Sequence, residues 1–417
     1  MSPFVVAALV AFNLLVIFLL LAAPLGRRTL IQTIRIAAPR ERLWSALWLL
    51  GEQSGWSGEI VSSEPVRGSI DRAKVQLSWE GRDGRPIEKL LHLSDIIPGE
   101  RFTMRVEDDS SLDPAFWADY RDERSVEDCE EGSLVTLRRT DRYRGLAFLV
   151  FRYFATRREL ARLKEWAETG AVTRRFLFER PATQFGFAVL SALILWPFFG
   201  LNLGGFILAA VLTLVVALHE LGHMAAFRLM GHRRVRMIFI PLLGGIAIGG
   251  RPYDSRFEVA FVALMGAGFS AFVIPIAIAS SSFAREAGHP AAAAVLAVLA
   301  GFCAFFNVAN LVPVWKFDGG QVLRQICPGP LALACASFAT LLAFLALGHL
   351  VGLSPTTLVA MGTVFAVLSL MMAGSGVKPR YELRPVGAFD RAALGAAFVA
   401  VFAIHFVGLL WAYARIA

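Results

Sequence analysis

The sequence predicts a polytopic α-helical membrane protein of about eight spans, with a soluble α+β domain inserted after the first span. Three observations predict it. Hydrophobic residues make up 56% of the 417 residues and the mean hydropathy is +0.58, which is far into the membrane range. Apolar runs of span length recur near 4–24, 184–200, 205–229, 257–280, 290–313, 331–352, 355–374 and 389–412; about 20 apolar residues suffice for a helix to cross the hydrocarbon core. The charges are segregated: residues 26–182 carry 27 of the 41 Lys and Arg and 26 of the 33 Asp and Glu.

The first run has no Lys or Arg before it, and Arg27-Arg28 follow it. It therefore reads as an uncleaved N-out anchor (1–26) rather than a signal peptide. Residues 29–170 are charged and alternating. Leu30–Ala37 reads as a strand, and Pro39 opens a helix carrying Glu41, Leu43, Trp44 and Leu47, since Pro suits a first turn. Strands are expected at Glu59–Val66, Lys74–Glu80, Glu88–Leu93, Arg101–Glu107 and Leu134–Asp141. A helix with Leu146, Leu149, Tyr153, Leu160, Leu163 and Trp166 on a 3.6-residue period closes the segment.

Outside residues 26–182, 14 basic residues face seven acidic ones. With the spans above, Arg27-Arg28, Arg174-Arg175, His232-Arg233-Arg234, Arg324 and Lys378-Pro379-Arg380 fall on one side. The positive-inside rule makes that side the cytoplasm and puts both termini outside. The net charge of +8 is thus a topology signal, not one for nucleic acid. Cys129, Cys303, Cys327 and Cys335 form no C-x-x-C pair, so neither a disulfide framework nor a thiolate metal site is expected.

The chemistry is concentrated in His219-Glu220-Leu221-Gly222-His223, inside the third apolar run. On a helix His219 and His223 share a face one turn apart. Two imidazoles there would grip one zinc ion, with Glu220 close enough to polarise a water. Two His and a Glu in a spanning helix are costly without such a partner. A third ligand is needed. Among the seven acidic residues after Pro181, Asp318 is the natural candidate: Pro313 breaks the preceding helix, and Gly319-Gly320 allow close backbone approach. Asn310 would offer an amide to a developing oxyanion; a helix-capping Asp in an ordinary turn is the plainer alternative for Asp318.

These motifs resemble the site-2 protease family of intramembrane zinc metalloproteases, which carries a His-Glu-x-x-His helix and a later Asn-x-x-Pro…Asp-Gly segment, matched by Asn310, Pro313, Asp318 and Gly319. Gly266-Ala267-Gly268-Phe269-Ser270 resembles that family's Gly-x-x-x-Asn/Ser/Gly element. The resemblance spans roughly 185–325. It departs at Phe317, where Leu is usual, at Lys316, in a stretch often rich in Pro, and in lacking a PDZ-like insert. It implies a catalytic core over 181–325 with one Zn2+ per chain on His219, His223 and Asp318. Glu220 would be the base, Asn310 a substrate or oxyanion contact, and Gly244, Gly245, Gly266 and Ser270 substrate-binding. The substrate would be a transmembrane protein, cut within the bilayer of a bacterial inner membrane with the site opening to the cytoplasm. Residues 326–417 would be additional C-terminal spans.

Ile238–Gly250 carries Pro241 and four glycines between apolar flanks, which argues for a strand pair or re-entrant loop rather than a helix. It would bind an unwound substrate segment by β-addition or simply cover the helix end. His232 is expected to face solvent or headgroups, and His349 and His405 to bond between helices.

The order of elements in 29–170 resembles the START-like (SRPBCC, polyketide cyclase type) fold, whose opening Ile36-Ala37-Ala38-Pro39-Arg40-Glu41-Arg42-Leu43-Trp44 looks like. That resemblance implies a curved sheet around the long helix and a cavity for a hydrophobic ligand; a domain that docks or excludes protein substrates is the alternative. Two rival functions stand beside the protease: a membrane-anchored lipid sensor with a non-proteolytic zinc site, and a transporter, for which no inverted repeat is visible.

Overall fold

The computed structural model describes residues 3–50, 56–172, 180–240, 244–372 and 378–416. Arg174, Arg175 and Pro241 lie outside them. The chain divides into two compact units, Met1–Arg174 with Gly374–Glu382, and Arg175–Ala373 with Leu383–Ala417.

In the first unit α1 (Pro3–Leu21) leads almost directly into β1 (Pro24–Ile36), so the boundary expected between residues 26 and 29 falls inside a strand. Then come α2 (Arg40–Leu47), β2 (Ile60–Pro65), β3 (Arg72–Glu80), β4 (Pro86–Ile97), β5 (Arg101–Asp109), β6 (Arg121–Cys129), β7 (Gly132–Arg144) and α3 (Leu146–Thr169). The seven strands form one antiparallel sheet in the order β1-β7-β6-β5-β4-β3-β2. This is the strand, helix, strands, long helix order expected. Strand β6 is the addition.

The core lies between the sheet and the two helices. Leu43, Ala46 and Leu47 of α2 and Leu160, Leu163 and Ala167 of α3 pack on Ile36, Val75, Leu93, Phe102, Val135 and Leu137 of the sheet. Fully burying one such Leu stabilises by roughly 1.5–3 kcal/mol. Helix α3 ends at Gly170, whose φ of 81° is the left-handed closure that glycine adopts without a Cβ clash. Residues Lys378–Glu382 belong to this unit. Pro379 bridges Leu112, Arg380 pairs with Asp108, and Arg82 donates to the Tyr381 carbonyl at 2.8 Å.

The second unit contains α4 (Pro181–Phe199), α5 (Leu203–Leu229), the hairpin β8 (Arg236–Ile240) and β9 (Gly244–Ile248), α6 (Arg256–Glu286), α7 (Pro290–Asn310), α8 (Asp318–Ile326), α9 (Pro330–Leu350), α10 (Pro355–Met372) and α11 (Ala388–Ile416). Six helices are long and apolar enough to cross a membrane: α4, α5, α6, α7, α9 and α11. Six of the eight expected spans are thus matched among the described residues. Both other apolar runs are helical, but α1 is not among the six, and α10 offers only the shorter stretch Pro355–Met371.

The hairpin is the strand pair expected at 238–250. Helix α11 is not peripheral: Leu394 and Phe398 share a core with Ala263, Ala267, Leu311 and Leu323, and His405 bonds the Ala267 carbonyl at 2.9 Å. The boundary expected between 325 and 326 does not separate it from the motif-bearing helices.

Candidate metal centre

Helix α5 begins at Asn202, whose side chain accepts the Gly205 N–H at 2.9 Å. Its last turns carry His219 and Glu220, both buried, and the half-buried His223. Their neighbour is α6, which comes close because both helices are glycine where they meet. A Cβ on Gly222 would collide with the Met265 carbonyl, and one on Gly266 would lie 2.6 Å from the His223 ring and 2.7 Å from the His219 ring.

Asp318 arrives from the other side. Helix α7 stops at Asn310, Pro313 follows, and α8 starts at Asp318 itself. Gly319 and Gly320 press directly on the carbonyls of Leu311 and Val314, where no Cβ fits. Close approach, rather than a positive φ, is what these glycines supply.

The result is a three-donor cluster. His219 Nε2 and His223 Nε2 are 3.1 Å apart, and Asp318 Oδ2 is 3.1 Å from the first and 3.5 Å from the second. The tautomers follow from the partners of the opposite ring nitrogens. His223 Nδ1 lies 2.8 Å from the Val262 carbonyl, which only accepts, so Nδ1 carries the proton. His219 Nδ1 lies 2.8 Å from Asn307 Oδ1, and the Asn307 amide is oriented by its own Nδ2 donating to the Cys303 carbonyl at 2.7 Å. With both rings neutral, these tautomers turn their Nε2 lone pairs towards the carboxylate. Asp318 Oδ2 is buried, and although His219 Nε2 is near it, no hydrogen bond reaches it.

Three acceptors facing one another repel unless a cation lies between them. Tetrahedral zinc with ligand bonds of about 2.0–2.1 Å holds its nitrogen and oxygen donors about 3.3 Å apart. These separations match that within a few tenths of an ångström. His219, His223 and Asp318 thus fit a metal ion, as expected, with Asn307 and the Val262 carbonyl orienting the rings.

Glu220 points to β9. Its Oε2 accepts the Ala247 N–H at 2.9 Å, and Gly245 lies against its side chain with no room for a Cβ. A cavity of about 270 Å³ joins the cluster, lined by His219, Glu220, His223, Tyr253, Asn310 and Asp318 among others.

The remaining expected site residues divide. Asn310 lines the cavity, with its Nδ2 tied to the Phe306 carbonyl one turn back at 2.9 Å. Gly245 lines it too. Gly244 does not; its φ of 96° makes the turn into β9. Gly266 backs the ligand rings. Ser270 is fully buried, donates to the Gly266 carbonyl at 3.3 Å and does not line the cavity.

His232 is a correction. It is buried, not solvent-facing, and sits 2.7 Å from Glu258 Oε1, which Arg251 also contacts at 3.0 Å. A carboxylate in the first turn of α6 supplies the partner that makes its burial tolerable. His405 bonds between helices as expected, whereas His349 is exposed at the end of α9. Asn307 was not singled out in the sequence, although an Asn in the middle of an apolar helix was the available signal.

No family model and no curated protein matches the chain. Solved structures similar to it include protein SSP2350 from Staphylococcus saprophyticus, 15% identical over 36% of this chain and 98% of that one, with a TM-score of 0.28. The Aha1 dimer from Colwellia psychrerythraea is 18% identical over 34% of this chain and 98% of that one, with a TM-score of 0.27. Ara h 8.0201 is 14% identical over 34% and 98%, also with a TM-score of 0.27. The likeness is confined to about a third of the chain.

Proposed function

We propose that the chain is a zinc-dependent intramembrane endopeptidase that cuts transmembrane segments of other proteins. One observation carries this reading: His219 and His223, on a helix of membrane-spanning length, converge with Asp318 from the start of the short α8 through metal-type donors, with the acidic side chain of Glu220 beside them. Zinc, when bound, supplies Lewis acidity to a scissile carbonyl and makes hydroxide available near neutral pH. Glu220 takes the proton from the attacking water and later hands it to the leaving amine. To do so its carboxylate exchanges the Ala247 N–H for that water. A transmembrane helix resists cleavage because its peptide groups are already paired. The β8–β9 hairpin beside Glu220 would offer backbone partners to an unwound segment. Asn310, on the cavity wall, contacts the substrate or its oxyanion. The basic residues of the loops support a site opening on the cytoplasmic side of a bacterial inner membrane.

A second reading, a membrane-anchored sensor with a structural zinc, draws on the Glu220–Ala247 hydrogen bond, which occupies the base. Zinc content paired with cleavage of a model transmembrane substrate, in wild type and Glu220→Ala, decides between them. One zinc per chain in both, with cleavage only in wild type, is the expected result. Zinc in both without cleavage of any substrate favours the sensor, and wild type without zinc overturns the metal site.

A further inference from the structure

Beside the apolar face that α3 packs on the sheet through Leu160, Leu163 and Ala167, one flank of the helix is charged. Phe151, Ala155, Arg158, Glu159 and Arg162 recur at the spacing of one helix face and line a cavity of about 290 Å³ in the first unit. From Phe151 to Arg162 they extend over 12 residues of α3, about 16 Å at 1.5 Å per step. The opposite wall is apolar, built from Leu77, Leu91, Met104, Val106, Trp56 and Trp117.

Among the described residues the cavity wall is short of negative charge. It carries Lys89, Arg124, Arg139, Arg152, Arg158 and Arg162 against Glu59 and Glu159. Arg124 and Arg139 share Asp122 and Glu159, Lys89 reaches Asp109 at 3.7 Å, and Arg152 reaches Asp141 at 3.5 Å. Arg162 has no ion-pair partner among the described residues, and the Nε atoms of both Arg162 and Arg139 are buried without a hydrogen bond. Burial pushes the Lys89 ammonium below its ordinary value; Asp109 opposes the shift, and Arg152 adds to it. Guanidinium donors left open beside an apolar wall are what a carboxylate or phosphate on an apolar body would satisfy.

The cavity opens beside the apolar anchor. Phe151 lines it and is 60% exposed; Leu146, Phe148, Val150 and Phe154 are exposed around it. Those turns follow Gly145, whose N–H donates to the Ala23 carbonyl at 2.8 Å just past the end of α1. A ligand entering here passes first over side chains suited to the lipid interface. The volume is at the lower end of the pocket range of about 300–1,000 Å³, which suits one chain rather than two.

We propose that this cavity binds an acidic single-chain amphiphile, a carboxylate or phosphate on one apolar tail, with Arg162 and Arg139 on the anion and the wall of β3, β4 and β5 on the tail. The site needs neither zinc nor proteolysis.

The test uses the full chain in phosphatidylcholine nanodiscs, photolabelled with a diazirine derivative of myristate. The label should map to peptides of α3 or β3–β5. Myristate and tetradecyl phosphate should displace it at concentrations about tenfold lower than tetradecanol, the factor expected of a charge-assisted hydrogen bond. Arg162→Gln should close that gap without changing displacement by tetradecanol, and Arg162→Lys should keep most of it. Equal competition by acid and alcohol overturns the proposal, as does labelling elsewhere. Inorganic phosphate displacing the label as well as myristate does would make the ligand a free anion and overturn the amphiphile. Should Arg162→Gln fail to fold, the wild-type competition series decides alone.

Discussion

Asn307 on α7 holds His219 on α5 in register, its Oδ1 2.8 Å from the ring's Nδ1 while its Nδ2 is committed to the Cys303 carbonyl. The side chain is fully buried and 88 positions from its partner. It leaves Nε2 as the only nitrogen of His219 free to meet Asp318.

Asn307→Leu removes that acceptor and frees the ring to turn. Loss of a hydrogen bond of this kind to a ligating histidine costs about 10–100-fold in metal affinity. Zinc titration against a competing chelator should show a loss of that size, while Asn310→Leu, whose side chain bonds only its own helix among the described residues, should retain zinc. Equal zinc affinity in wild type and Asn307→Leu would remove Asn307 from the centre.

Gly266→Ala should empty the metal site by steric means. Its Cβ would lie 2.6–2.7 Å from the two ligand rings, which cannot retreat because Asn307 and the Val262 carbonyl hold them. Gly268→Ala is the matched control, since its Cβ meets only the flexible Met265 sulfur at 3.3 Å. Metal analysis of the two purified variants should show zinc near zero in the first and near one per chain in the second.

The buried charge network of the first unit sets its acid limit. Burial would raise the Asp122 carboxyl, but Arg139 and Arg124, each 3.1 Å away, more than offset this and hold it below the usual carboxylate range. Since the folded value is the lower one, the stabilisation is complete above the unfolded value of about 4 and is lost as pH falls below it. Asp122→Asn leaves two buried guanidiniums under-compensated and should destabilise the unit by about 3–5 kcal/mol at neutral pH. Hydrogen exchange of β6 and β7 amides in the full chain reads both effects; unchanged protection in the variant would remove Asp122 from the balance.

This network also explains which parts of the fold were legible in the sequence. Apolar periodicity marked α2, α3, β3, β5 and β7, and turn residues marked the β8–β9 hairpin. Strand β6 was invisible because its inward residues are Asp122, Arg124 and Val126. Its alternation is written in ion pairs facing a cavity, and a hydrophobicity pattern does not register that. His219 and His223 were legible because ionisable groups stand out in an apolar helix, and Asp318 because Pro313 and Gly319-Gly320 mark a helix break beside it. Their supports were not: Asn307, the Val262 carbonyl and the Gly222–Met265 approach depend on helix packing across long sequence separations. His232 misled for the same reason: it lies in the loop after α5, and its partner Glu258 is in the first turn of α6.

Gly245 offers a way to disturb the base without touching the metal. Its backbone lies against the Glu220 side chain, and two residues on, Ala247 donates to Glu220 Oε2 at 2.9 Å. Gly245→Ala would force the carboxylate or the strand to move, while His219, His223 and Asp318 keep their own partners. A displacement of about 1 Å in a reacting group can cost about a hundredfold in rate. If Glu220 is the base, cleavage should fall by that order with zinc content unchanged. A variant that keeps both zinc and full cleavage would mean that the hairpin does not position Glu220, and a variant that loses zinc would mean that β9 supports the metal ligands as well.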